Sequence, residues 1–100
     1  MKNIVRKNDI PTMLKSSDPS EVLLAEWAQL KLRYKETKEM PINGLTDKQT
    51  FGLIHAQVDL CKGFIAIEFL LGLRGINTDN FEIIDDATPN TDETVPDSKN

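Results

Sequence analysis

The chain has 100 residues, of which 39% are hydrophobic and 28% charged, and its formal net charge is −4. This length holds at most one domain, and the composition is typical of a globular chain rather than of a fibrous or disordered one. The single cysteine excludes an internal disulfide framework and any cysteine-based zinc site.

Residues 1–17 are predicted to form an irregular basic arm with a short helical turn at 11–15. The arm lacks the apolar region and cleavage site of a signal peptide. Because the single cysteine falls on an apolar face, we expect a reducing, cytoplasmic location or a virion or similar particle assembled there. The four basic residues of the arm have no aromatic residues among them. This is weak evidence for nucleic-acid binding, and we do not expect direct contact with nucleic acid.

The first long helix is predicted over about 19–38. Asp18 fits the N-cap position, and Pro19 fits the first helical position, where its missing N–H is harmless. Apolar residues at helical spacing form one stripe, which contains Leu23, Trp27, Leu30 and Tyr34. Pro41 ends the helix, and a short turn through 43–44 makes the next helix an antiparallel neighbour.

The second helix, over about 47–74, holds the longest apolar-periodic run, and we expect it to be the core helix. Thr46 and Gln49 form a capping box, and Gly75 marks the end. At 100° per residue two adjoining stripes form one wide face, which the first helix is expected to cover. One stripe contains Phe51, Ile54, Val58, Cys61, Ile65 and Phe69, and the other contains Leu53, Leu60, Phe64, Ile67 and Leu71.

The run 64–73 is too short to span a bilayer, which needs about 20 apolar residues, and it contains Glu68, so no membrane span is expected. Near its C-terminal end the helix is apolar on nearly every side, and a helix of this kind needs partners on every side. The chain offers few. We therefore treat Leu70 and Leu73 as candidate interaction residues.

Small residues mark the back of this helix: Gly52, Ala56, Gly63 and Ala66. Glycine inside a helix costs about 1 kcal/mol relative to alanine. Close approach of another helix would explain the two glycines, and a second copy of the chain could supply that helix. The alternative is that they are tolerated on a solvated face. All four are candidate interaction residues.

Glu68 projects from the apolar face, where an ionised carboxylate is costly unless it is paired. Three roles remain open. Glu68 makes a structural ion pair or hydrogen bond, sets the register of an external partner as buried polar residues do in coiled coils, or acts as a general acid or base.

Residues 77–100 form an acidic, mostly irregular tail with seven acids and one lysine. Its apolar residues Phe81, Ile83 and Ile84 either fold back over the apolar end of the core helix, which we favour, or add as an edge strand to a partner. They are candidate interaction residues. The composition of 86–100 predicts disorder in isolation.

No residues are assigned to catalysis, cofactor binding or metal binding. His55 is the only histidine and falls on the polar face, so no triad or multi-histidine metal site can form within one chain. Cys61 lies on the apolar face and is expected to be a buried free thiol.

The predicted architecture is all-α: a hairpin of two long antiparallel helices over 18–76, flanked by the irregular arm and the acidic tail. We expect a non-enzymatic assembly or adaptor protein, without a cofactor, that self-associates or docks on a larger complex through its core helix. The alternative is a small acidic inhibitor that blocks a nucleic-acid-binding partner through the tail or through Glu26, Glu36 and Glu39. The two differ in salt dependence, which is weak for assembly and steep for the inhibitor.

Overall fold

The computed structural model describes residues 2–85, so the expectation for 86–100 lies outside the described residues. The prediction of a mostly helical chain with two long packed helices is confirmed. The all-α class is wrong in one respect, because two short strands pair with each other. The elements are β1 Asn3–Arg6, a 3-10 turn Lys7–Asp9, α1 Ile10–Leu14, α2 Pro19–Glu39, α3 Asp47–Leu73, a 3-10 turn Thr78–Asn80 and β2 Phe81–Ile84.

Local sequence signals define both ends of the long helices. The Asp18 carboxylate accepts a hydrogen bond from the Ser20 N–H at 3.0 Å, and Pro19 occupies the first helical turn. At the start of α3 the capping box is complete: the Thr46 hydroxyl accepts from the Gln49 N–H at 3.1 Å, and the Gln49 side chain accepts from the Thr46 N–H at 2.9 Å. These bonds satisfy backbone donors that a helix start leaves free.

The end of α3 is a Schellman motif. Gly75 has a φ of 79°, a left-handed conformation that glycine adopts at no steric cost. The Ile76 N–H donates to the Leu71 carbonyl at 2.9 Å, and the Gly75 N–H donates to the Gly72 carbonyl at 3.0 Å. Leu71 is fully buried and Ile76 packs against the same core, so the motif has its usual apolar contact.

Helices α2 and α3 run antiparallel. At successive contacts between them, a higher residue number in α2 goes with a lower one in α3. Trp27 is hydrogen-bonded to Glu68, and Leu30 lies against Gly63. At the other end of the pair, the Arg74 guanidinium donates to the Ser20 hydroxyl at 3.4 Å. A loop of residues 40–46, with Gly44 at φ 87°, reverses the chain between the helices.

The central helix of the core is α2, and the expectation that α3 would be the core helix is wrong. Of the nine buried apolar residues, α3 supplies only Phe64 and Leu71. One face of α2 packs on α3, and a second face packs on α1 and the 3-10 turn before it. Helix α2 supplies five buried residues: Leu24, Ala25, Trp27, Ala28 and Leu32.

The N-terminal arm is ordered rather than irregular, because β1 pairs with β2. The strands are parallel, with Asn3 opposite Phe81 and Val5 opposite Ile83. Parallel strands need a long crossover, and here the three helices provide it. Val5 is buried at 3% exposure while its neighbour Ile4 is 52% exposed, so the two faces of β1 differ as a half-buried strand requires.

Candidate protein-binding surface

The inner face of α3, which packs on α2, is narrower than the apolar face of the sequence. At its centre the Phe64 ring meets the Tyr34 ring edge-on, with centroids 5.5 Å apart. Leu71, one of the two buried residues of α3, is on this face, and Cys61 and Ile67 are half-buried beside it. The predicted stripe through Leu53, Leu60, Phe64, Ile67 and Leu71 is therefore the one that meets α2.

The other predicted stripe of α3 is exposed along most of its length. We call its exposed large residues, together with Leu73, the outer stripe. Phe51, Phe69 and Leu73 are 63%, 67% and 70% exposed. The complete outer stripe is Phe51, Ile54, Val58, Ile65, Phe69 and Leu73.

Geometry explains why the outer stripe stays uncovered. Helix α2 has 21 residues and α3 has 27, so α2 is shorter than the helix it covers. A single helix covers only one side of its neighbour, and the second apolar face of α2 is occupied by α1. The 3-10 turn Thr78–Asn80 lies beside Ile65 and Phe69 without covering them, and every member of the outer stripe remains at least 43% exposed.

The candidate residues on the back of α3 do not form one surface. A Cβ at Gly63 would lie 3.1 Å from Leu30 Cδ1, so this glycine belongs to the packing of α2 on α3 within the chain. A Cβ at Gly52 would meet nothing within 4 Å. Ala56 and Ala66 are exposed, and so are Leu70 at 44% and Leu73 at 70%.

Glu68 is paired within the chain. Its Oε2 accepts a hydrogen bond from the Trp27 indole N–H at 2.9 Å. Trp27 is 3% exposed and Glu68 is half-buried, so the carboxylate satisfies a donor that the core would otherwise leave unpaired. This is the structural role among the three that the sequence left open, with an indole rather than a basic residue as partner.

The tail residues Phe81, Ile83 and Ile84 form β2 and are half-buried. The fold-back that we favoured takes place onto β1 instead of over the apolar end of α3. Phe81 and Ile83 pack against the core cluster. They therefore cover the part of the core that contains Val5 of β1, and Leu73 at the end of α3 stays exposed.

A cleft of about 640 Å³ lies between α2 and β2, beside Trp27 and Phe81. Its lining includes as many acids as lysines, so it shows no preference for a charged ligand of either sign. The charged residues are Lys2, Lys31, Lys35, Lys38, Glu39, Glu68, Asp79 and Asp85. We assign no ligand to it.

The remaining titratable groups that the sequence singled out are scattered. His55 is exposed on α3, and Cys61 is a half-buried free thiol rather than a fully buried one. Within residues 2–85 there is no group of three or more His, Cys, Asp or Glu side chains placed to hold a metal ion. None of the described helices is long and apolar enough to cross a membrane.

Sequence reasoning missed the members of the outer stripe other than Leu73, because it assigned them to the face that α2 would cover. The apolar arc of α3 already contained the relevant signal: two stripes side by side are wider than the contact that one helix makes. Comparison with protein-family models, curated proteins and solved structures finds no match for this chain.

Proposed function

We propose that the chain is a non-enzymatic assembly or adaptor protein that binds another protein through the outer stripe of α3. The observation that carries this proposal is the exposure of six large apolar side chains along one face of one helix. Monomeric proteins rarely expose contiguous apolar patches larger than a few hundred Å², and patches of that size commonly mark interaction sites.

The size of the stripe supports the proposal. Taking about 200 Å² for a fully exposed large apolar residue, the exposed fractions of the six side chains leave roughly 700 Å² of the stripe in water. At about 25 cal/mol per Å², covering it contributes roughly 17 kcal/mol before the cost of association. That gross term is large enough to support specific binding.

The position of the polar groups also favours binding over catalysis. A general acid or base needs a second group within hydrogen-bond reach and a site for substrate. Glu68 is bonded to the Trp27 indole, and His55 lies on an open helix face. We therefore propose no reaction for this chain.

The rival proposal, an acidic inhibitor, has less support from residues 2–85. Of the three helical acids it would use, Glu36 lies 3.8 Å from the Lys7 ammonium within the chain. The exposed surface of α3 is apolar over most of its length instead of acidic. An assembly surface accounts for that feature, and an electrostatic mimic does not.

A photo-crosslinking experiment in the cells that produce the protein tests the proposal. The photoreactive residue p-benzoylphenylalanine replaces Phe69 in one variant and Phe51 in another. The matched control carries it in place of Ile42, which has the same 63% exposure as Phe51 but lies in the loop between α2 and α3. We expect covalent protein adducts from positions 69 and 51 and none from position 42.

Two outcomes contradict the proposal. One is the absence of adducts from both stripe positions, under conditions in which the same photoreactive residue in an unrelated control protein crosslinks to that protein's known partner. The other is an equal yield from the loop control, which would mean that exposure alone, and not a bound partner, explains the crosslinks.

A further inference from the structure

We propose that the outer stripe is covered by the outer stripe of a second copy of this chain, with the two α3 helices antiparallel. This inference rests on the proposed function, since it names the partner of the same surface. Its evidence is the spacing of the stripe, the open space at one glycine, the charges at its centre and the area available.

The spacing of the four central residues of the stripe reads the same in both chain directions, whereas the outermost members Phe51 and Leu73 do not extend this symmetry. Ile54 and Val58 are four residues apart, Val58 and Ile65 are seven apart, and Ile65 and Phe69 are four apart. In a two-fold symmetric dimer the same patch must complement itself. Antiparallel pairing about a point between residues 61 and 62 sets Val58 opposite Ile65 of the second copy, and Ile54 opposite Phe69.

In the same register, the large side chain at the N-terminal end of the stripe, Phe51, faces unfilled space on the second copy. Phe51 falls opposite Gly72 of the second copy, between Phe69 and Leu73 of that copy. A Cβ built at Gly72 would meet nothing within 4 Å, so the space beside this glycine is free. A ring from the second copy can occupy it, as a knob enters the hole between neighbouring side chains of a facing helix.

The charged residues near the centre of the stripe are also complementary in this register. Lys62 and Asp59 are exposed, one turn apart, on the same edge of the stripe. With the helices antiparallel, each Lys62 lies about 3 Å along the axis from Asp59 of the second copy, at 1.5 Å rise per residue. Opposite charges at such a rim favour the correct orientation more than they add affinity.

The area agrees with a second copy as the occupant. The stripe offers roughly 700 Å² per chain, close to the 800 Å² per partner of a standard interface. It extends over residues 51–73, about 33 Å of helix at 1.5 Å per residue. The inner face, which packs on α2, points elsewhere, so α2 does not block the approach of the second α3.

Sedimentation velocity of the full chain tests stoichiometry. We expect a dimer at concentrations from about ten to several hundred µM, with twice the chain mass of 11.3 kDa. Val58→Glu and Ile65→Glu, which change exposed positions, should each raise the dissociation constant by at least about tenfold. The control Ile42→Glu adds the same charge at an exposed loop residue and should leave it unchanged.

Cysteine crosslinking tests orientation. In a Cys61→Ser background, one chain carries Val58→Cys and another carries Ile65→Cys. The antiparallel register predicts a disulfide-linked dimer when the two variants are mixed and oxidised, and none from either alone, because seven residues separate the like positions by about 10 Å. Crosslinking of each variant alone would overturn the antiparallel arrangement.

The experiments distinguish failure of the proposed dimer from failure of the proposed protein-binding function. A chain that stays monomeric at every concentration, while the probe at position 69 gives adducts of another mass, overturns the second copy as partner and leaves the proposed function standing. A monomer with no adduct at all overturns both. Dimers that persist unchanged in Val58→Glu and Ile65→Glu overturn the assignment of the interface to the outer stripe.

Discussion

At the scale of single residues, the bond between Trp27 and Glu68 joins the two long helices. The indole is buried at 3% exposure, and its N–H has one partner, the Glu68 carboxylate at 2.9 Å. Hydrogen bonds to charged groups are stronger than neutral ones, and a buried donor left without a partner costs more than the bond contributes. Glu68 therefore contributes to stability mainly by keeping the buried Trp27 N–H hydrogen-bonded.

This leads to a prediction for Glu68. Glu68→Leu should lower the free energy of unfolding by about 1–2 kcal/mol, whereas Glu68→Gln, which keeps an acceptor, should cost less than about 1 kcal/mol. Urea unfolding at a fixed protein concentration measures both, with the fluorescence of the single tryptophan as the signal. In a Trp27→Phe background, followed by circular dichroism, the cost of Glu68→Leu should nearly vanish. Equal costs for the two substitutions would contradict the role of the bond.

The two glycines in the body of α3 make a matched pair. Gly52→Ala should stabilise the chain by about 0.5–1 kcal/mol, because alanine has the better helix propensity and the added methyl meets nothing. Gly63→Ala places a methyl 3.1 Å from Leu30 Cδ1, so overpacking offsets the same gain. We expect Gly63→Ala to be at least about 1 kcal/mol less stable than Gly52→Ala in urea unfolding. Equal stabilisation by both would mean that Leu30 moves aside freely.

At the scale of elements, the short parallel sheet ties the two ends of the described chain together. Val5 is the buried residue of β1 and faces Ile83 across the pair. The Lys7 ammonium, just after β1, lies 3.7 Å from the Asp85 carboxylate, just after β2. Exposed ion pairs of this kind contribute little, so the apolar contacts of Val5 should dominate.

The prediction for the sheet compares neighbours in one strand. Val5→Ala should destabilise β1 and β2 together by about 2 kcal/mol, as expected for a truncated core side chain. Hydrogen exchange followed by mass spectrometry should then show faster exchange of residues 81–84, far along the chain from the change. Ile4→Ala, at a 52% exposed position, should leave exchange there as in the parent chain. Slow exchange of 81–84 in Val5→Ala would mean that β2 does not depend on β1.

An element could be predicted from the sequence when the interactions that define it join residues close together in the chain. The N-cap at Asp18, the capping box at Thr46 and the stop at Gly75 each rest on residues within a few positions, and all three occur. The sheet rests on Asn3 pairing with Phe81, 78 positions away, and no local pattern indicates such a partner. Short strands of four residues also leave little periodicity to detect.

The candidate surface was only partly predictable for a related reason. Periodicity shows that α3 is apolar over a wide arc, but it cannot show which part of the arc faces α2. The choice depends on α1, which occupies the second side of α2 and leaves α3 on the outside. The sequence therefore placed Phe51 and Phe69 on the side that α2 covers, whereas the structure leaves both exposed.

At the scale of the whole molecule, the core is small and built around α2. Only two of the 27 residues of α3 are buried, so the longest helix leaves most of its apolar side chains exposed or half-buried. A small domain gains little net stability from its own core, and a second copy that covers the outer stripe adds the missing burial. Stability and association should therefore rise together with protein concentration.

The salt dependence of association separates an apolar interface from an electrostatic one. Because the outer stripe is apolar and only Lys62 and Asp59 pair at its rim, raising NaCl from 50 mM to 1 M should change the dimer dissociation constant less than about threefold, although the Debye length falls to about 3 Å. Sedimentation velocity at both salt concentrations measures this. Lys62→Gln should weaken the dimer by no more than about 1 kcal/mol at low salt and make it insensitive to salt. A dimer that dissociates at 1 M NaCl would instead assign the association to contacts between oppositely charged groups, and it would contradict the apolar stripe of α3 as the interface.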